Sequence, residues 1–150
     1  MIVKSLEHLK QISKKISQKL KNGDCVFLIG EIGVGKTTFT RFLINNLQNQ
    51  KGVQKTEVLS PTFNLLYEYE IKDLKIMHYD LFRLKKAEEL EHLGIFSENE
   101  KTIKIVEWPD LIKTPLTNKL EVHLEYGEND KERKMKIYGL SKWKDFENEI

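Results

Sequence analysis

The chain has one cysteine, three prolines and two tryptophans among its 150 residues. A lone Cys25 excludes an intramolecular disulfide. Its place in the apolar run Cys25-Val-Phe-Leu-Ile29 points to a buried small hydrophobe rather than a nucleophile. No run approaches the roughly 18 apolar residues of a membrane span. Met1-Ile-Val-Lys4 lacks the long apolar segment and small-residue cleavage site of a secretory signal, so a soluble cytoplasmic protein is expected. Arginine is scarce: only Arg41, Arg83 and Arg133 stand among 25 basic residues, and the lysines are scattered among acids for a net charge of +2. That excludes the concentrated basic footprint of a protein that grips nucleic acid unaided, and leaves room for a weak or shared contact. With no repeat, low-complexity tract or linker, 150 residues suit one core and one domain over 1–150.

The organising stretch runs from Asp24 to Leu47. Cys25 to Ile29 has strand length, and Phe39, Phe42, Leu43, Ile44 and Leu47 recur at helical spacing, so a glycine-rich loop joins a strand to a helix. Gly30, four residues, Gly35, Lys36 and Thr37 satisfy G-x-x-x-x-G-K-[ST]. The chemistry needs each position. Gly30, Gly33 and Gly35 let the main chain approach an anion, and the loop N–H groups and the positive end of the helix point at phosphates. Lys36 places a point charge on the β- and γ-phosphates, and the Thr37 hydroxyl ligates Mg²⁺. The competing reading is a glycine loop between core elements with Lys36 merely solvated; the strand–loop–helix context favours the phosphate site.

Upstream, Ser5 is a helix cap with Glu7 in the first turn, and Leu6, Leu9, Ile12, Ile16 and Leu20 form one apolar stripe opposite a solvated lysine face. Asn22-Gly23 ends that helix. Downstream, Thr56 to Leu59 reads as a short strand, and Phe63–Ile71 and Leu74–Phe82 as a hairpin turning at Lys72-Asp73. Lys85 to Leu93 reads as a short helix, Thr102 to Val106 as a strand cut off by Pro109, and Leu120–Tyr126 with Met135–Ile137 as an antiparallel pair. Ser141 to Ile150 reads as a closing helix. The expected fold is a single α/β P-loop domain: a central mixed sheet flanked by helices, richer in antiparallel pairing in its second half.

Hydrolysis needs an acid near the metal and a group to orient water. Two runs end in carboxylates, Ile76-Met-His-Tyr-Asp80 and Ile103-Lys-Ile-Val-Glu107. Ligands of α/β sheets lie outside the carboxyl ends of strands, so Asp80 and Glu107 are candidates to face the phosphates; equally, each is a strand-end acid capping the next segment. Ser60-Pro61-Thr62 is either a turn or a pair of hydroxyls that senses the γ-phosphate. His78 reads as structural, since no second histidine lies at ligand spacing. Trp108 is core packing or an aromatic wall beside the nucleotide.

Taken in order, Gly30-Glu-Ile-Gly-Val-Gly-Lys-Thr-Thr-Phe-Thr-Arg41, Ser60-Pro-Thr-Phe63, His78-Tyr-Asp-Leu-Phe-Arg83, Glu88-Glu-Leu90, Gly94-Ile95 and Ile105-Val-Glu-Trp-Pro109 resemble the motif series of the TsaE (YjeE) family. These are small bacterial P-loop ATPases needed to make threonylcarbamoyladenosine in tRNA, beside the anticodon. The similarity covers the chain from about Ser5 to the final hairpin. It implies that Gly30, Glu31, Ile32, Gly33, Val34, Gly35, Lys36, Thr37 and Thr38 cradle ATP, with Lys36 on phosphate and Thr37 and Glu107 on Mg²⁺. It further implies that Asp80 supports hydrolysis, that Thr62 belongs to a nucleotide-responsive loop and that Trp108 lies near the nucleotide. The implied partners are TsaB and TsaD, with tRNA reached through their complex. Leu9 stands where many members carry a threonine in the first helix, leaving Ser5 as a lesser candidate for a nucleotide contact there. Two other activities compete: a small-molecule kinase, for which few cationic groups and no lid insertion are available, and a non-hydrolysing nucleotide-dependent adaptor.

Overall fold

A computed structural model describes Met1–Ile150. Five residues, Cys25–Ile29, form the strand β2 at the centre of a seven-stranded sheet. β2 is apolar along its whole length because both its faces are covered and parallel neighbours flank it, β5 (Ile103–Glu107) on one side and β6 (Lys119–Tyr126) on the other. Beyond β5 lie β4 (Leu74–Asp80), parallel to it, and the antiparallel edge strand β3 (Leu66–Ile71). Beyond β6 lie β7 (Arg133–Gly139) and the two-residue β1 (Ile2–Val3), both antiparallel. The sheet is therefore mixed, as expected, with its antiparallel pairs at the two edges.

Helices α1 (Leu6–Lys19) and α2 (Lys36–Gln50) cover one face. The Ser5 hydroxyl accepts the His8 N–H at 3.1 Å and caps α1. Leu9, Ile12, Ile16 and Leu20 face the core, whereas Leu6 departs from the expected stripe and is 67% exposed. Phe39, Leu43, Ile44 and Leu47 of α2 pack with them against Val26, Leu28, Ile103 and Ile105. The other face, carrying Phe27, Met77, Tyr79 and Val106, is covered by mostly irregular chain through Leu81, Leu90, Ile95 and Leu116.

Three expected elements differ. Thr56–Leu59 is not a strand: only Val58 turns inward, too little to anchor a sheet ladder, and Gln48 holds Thr56 by side chain and backbone instead. The helix expected over Lys85–Leu93 is reduced to the single turn α3 (Glu89–His92), since Leu90 alone is buried within it and one apolar anchor does not repay helix nucleation. The closing helix resolves into two 3₁₀ turns, Ser141–Trp143 and Phe146–Glu149, because Ser141 and Asp145 take left-handed angles (φ 58° and 60°) that interrupt any α ladder. Trp143 and Phe146 still reach the core, with edge-on rings 5.2 Å apart.

Cys25 is buried, and burial pushes its thiol up to about 12. The native protein is expected to stay inert to a thiol-specific disulfide reagent at pH 8 while the unfolded chain reacts fully; equal rates would refute the burial. Because the folded thiol titrates above the unfolded one, stability present below the ordinary thiol range is lost as pH climbs from that range toward 12.

Candidate active site

The loop from Gly30 to Gly35 leaves the end of β2 and enters α2. Gly35 sits at φ 121°, closed to other residues, and a Cβ at Gly30 would run into the Leu124 carbonyl of β6. The Lys36 ammonium curls back over this loop, donating to the Gly30 and Glu31 carbonyls at 2.5 and 2.8 Å, and stands 4.2 Å from the centre of the Trp108 ring. Burial lowers its pKa below the ordinary lysine range, while the carboxylates of Glu107 and Asp80 pull the other way. The ammonium therefore sits where an anion would compete with loop carbonyls and two acids for its charge.

The two acids come from neighbouring strands. Parallel register places Asp80 of β4 beside Glu107 of β5, and β2 lies next to β5, so both carboxylates close on the head of α2. Glu107 is 2% exposed. Its Oε1 accepts the Thr37 hydroxyl at 2.9 Å, and its Oε2 lies 2.7 Å from His78 Nε2. Two hard oxygen donors, a hydroxyl and a carboxylate, thus meet at one point beside the loop, the donor chemistry Mg²⁺ prefers. Asp80 is also buried: Oδ2 accepts the Thr62 hydroxyl at 2.7 Å and the Ser60 hydroxyl at 3.4 Å, and Oδ1 accepts the Phe82 N–H at 3.0 Å. Ser60-Pro61-Thr62 is therefore tied directly to one of the two acids.

These groups line a single cavity of about 330 Å³, with Ile32, Gly33, Gly35, Lys36, Thr37, Thr38, Ser60, Thr62, Asp80, Phe82, Glu107 and Trp108 in its wall. Trp108 takes a left-handed backbone angle, φ 58°, a strain of about 1–3 kcal/mol that recurs at functional sites. This turn swings the indole off the end of β5, where it packs 4.9 Å from the Phe82 ring. Gly30 and Glu31 are outside that wall and meet it through the carbonyls that accept from Lys36. Val34 and Ser5 face a neighbouring cavity of about 460 Å³ on the other side of the loop, shared with Leu9 and Arg133.

The chain matches the family model for "threonylcarbamoyl adenosine biosynthesis protein TsaE" over residues 3–135. The chain belongs to the TsaE family. Among TsaE proteins named for tRNA threonylcarbamoyladenosine biosynthesis, that of Rickettsia felis is 39% identical over 87% of this chain and 75% of its own length. That of Aquifex aeolicus is 33% identical over 92% and 94%. The crystal structure of Bacillus subtilis YdiB superposes with a TM-score of 0.73 at 25% identity, covering 99% of this chain and 90% of the other. The TsaE family is thus one of tRNA threonylcarbamoyladenosine biosynthesis, and the fold is that of a P-loop α/β domain.

Some contacts around this candidate site are not legible in sequence. His78, structural by its spacing, is buried with its Nε2 2.7 Å from Glu107, and the only local signal was its two-residue spacing from Asp80, which puts both on one face of β4. Tyr126 and Arg133 reach the loop from the β6–β7 hairpin, and nothing local marks them. Glu107→Gln is expected to raise the Mg²⁺ concentration needed for nucleotide binding on the order of 10-fold, with partial rescue by excess Mg²⁺. Isothermal titration of an ATP analogue across a Mg²⁺ series checks this, and unchanged Mg²⁺ dependence would shift the metal role to Asp80.

Proposed function

We propose that this protein is a Mg²⁺-dependent ATPase that acts on a TsaB–TsaD complex in the cytoplasm, in the step that forms the threonylcarbamoyl group on a tRNA adenosine beside the anticodon. The observation that carries the reading is the convergence, on one cavity, of Lys36, the Thr37–Glu107 pair and the Thr62–Asp80 pair. The Gly30–Gly35 loop binds the ATP phosphates through its N–H groups, and Lys36 holds the β- and γ-phosphoryl oxygens. Thr37 and Glu107 would hold Mg²⁺, whose charge offsets that developing on those oxygens. Asp80 orients the attacking water or takes its proton, and Trp108 and Phe82 wall the cavity against solvent. Val34, Ser5 and Thr38 border the neighbouring cavity, where the loop meets α1 and the nucleoside end of ATP has room.

None of the three arginines lines the phosphate cavity. Arg41 donates to Thr38 at 3.4 Å, Arg83 to the Phe63 carbonyl at 3.1 Å and Arg133 to the Val34 carbonyl at 2.9 Å. Phosphoryl transfer without such a charge is slow, so turnover by the chain alone is expected to be slow and to change when a partner supplies or repositions one. The Asp80 link to Ser60 and Thr62 provides a segment through which ATP and ADP states would differ in partner affinity. Titrating labelled TsaB–TsaD with the ATP-analogue, ADP and nucleotide-free forms, with phosphate release followed in parallel, tests both. Equal affinity in all three forms with an unaltered rate would leave an ATPase uncoupled from that complex. Phosphate appearing on an added small-molecule acceptor rather than in solution would favour a kinase.

A further inference from the structure

We propose that Tyr126 and Arg133, which face each other across the mouth of the β6–β7 hairpin, are positioning residues that hold the phosphate loop in its anion-receiving shape before nucleotide arrives. The inference rests on the reading of Gly30–Lys36 as a phosphate cradle and deepens it. The Tyr126 hydroxyl donates to the Ile32 carbonyl at 2.8 Å, and Arg133 Nε donates to the Val34 carbonyl at 2.9 Å. The pair is itself braced, with the guanidinium 4.8 Å from the Tyr126 ring centre and Arg133 Nη1 donating to the Asp130 and Glu132 carbonyls at 2.9 and 2.8 Å. Those bonds fix the guanidinium in its own hairpin and leave Nε for the loop.

A trans peptide is planar, so its C=O and N–H point in opposite directions. Anchoring the Ile32 carbonyl on Tyr126 turns the Gly33 N–H away from the hairpin, and anchoring the Val34 carbonyl on Arg133 does the same for Gly35. Both are glycines, with much backbone freedom to lose, at φ 78° and 121°. The intervening Val34 N–H is spent on the Glu31 carbonyl at 3.2 Å, and Lys36 holds the carbonyls of Gly30 and Glu31. Without the hairpin donors, the ligand itself would have to order the Gly33 and Gly35 amides, and that entropy would be subtracted from its affinity.

The test compares the parent, Tyr126→Phe, Arg133→Lys and Lys36→Ala by calorimetric titration with Mg²⁺-ADP and with pyrophosphate, and by amide exchange without nucleotide. Tyr126→Phe removes one hydroxyl and is expected to weaken both ligands about 3–10-fold. Arg133→Lys keeps the charge but not the planar fork, with an expected loss of about 10-fold for both. In both variants exchange should rise over 31–35 and stay unchanged in β6 and β7. Parent-like affinity and exchange in Tyr126→Phe and Arg133→Lys, with binding lost in Lys36→Ala, would overturn the clamp and keep the cradle. Parent-like pyrophosphate binding by Lys36→Ala would overturn the cradle reading and the clamp with it. A loss confined to Mg²⁺-ADP would make Arg133 a nucleoside contact, and faster exchange throughout the hairpin would make both residues merely structural; either result overturns the proposal.

Discussion

ATP hydrolysis by Lys36→Ala is expected to fall on the order of 10²–10³-fold, the usual cost of deleting one preorganised charge from a transferring group. The ammonium is held 2.5 and 2.8 Å from two loop carbonyls, over the Trp108 ring, with two carboxylates near enough to bear on its titration. Removing it strips the cavity of the lysine that faces those acids and leaves Glu107 and Asp80 to repel an incoming triphosphate. Both affinity and rate therefore suffer. The fold should survive, because α2 is anchored by Phe39, Leu43, Ile44 and Leu47, all at most 1% exposed, and Lys36 is only its first residue. Phosphate release under single-turnover conditions, beside a thermal melt, separates the two effects. A parent-like rate in a preparation free of contaminating ATPase would end the P-loop assignment.

Asp80→Asn should lower the single-turnover rate by about 10²–10⁴-fold, the range a positioned acid–base group supplies, with little change in nucleotide affinity. The substitution suits the site. An asparagine oxygen can still accept the Phe82 N–H that Asp80 accepts at 3.0 Å, and its amide can donate to the Thr62 hydroxyl, now a 2.7 Å donor to the carboxylate. What disappears is the negative charge and the basic lone pair that the proposed function assigns to the attacking water. Nucleotide affinity held constant with the rate collapsed is the signature of a group that acts in the transition state. A rate within about 2-fold of the parent would instead make Asp80 a strut for the Ser60–Thr62 segment. A rise in nucleotide dissociation constant with an unchanged rate at saturation would assign it to binding.

The phosphate loop was legible because every feature it needs is contiguous: an apolar strand, glycines where the backbone turns, then Lys36, Thr37 and an amphipathic helix. The strand-end acids were also legible, as Asp80 and Glu107 each close an apolar run. Their company was not. Spacing alone left each as either a cap or a ligand, and it is the parallel register of β4 on β5, with β2 alongside, that brings both to the head of α2. His78 reads as structural, and its partner, the Glu107 carboxylate on the neighbouring strand, is what spacing along the chain could not name.

Chain periodicity by itself determined most of the residues that face inward along α1, α2 and β6, since helical and extended repeats put apolar side chains on one face; Leu6 and Tyr126, 67% and 45% exposed, are where the tertiary structure overrode it. It did not determine the short segments. Thr56–Leu59, Lys85–Leu93 and Ser141–Ile150 each carry only one or two inward-facing apolar residues, and such weak local preferences yield to whatever the surrounding surfaces and turns require. Nor could any local pattern reveal that Tyr126 and Arg133 meet the carbonyls of Ile32 and Val34, nearly a hundred residues away. Those bonds exist because burying β2 on both sides requires β6 as its neighbour, which carries the end of the β6–β7 hairpin to the phosphate loop.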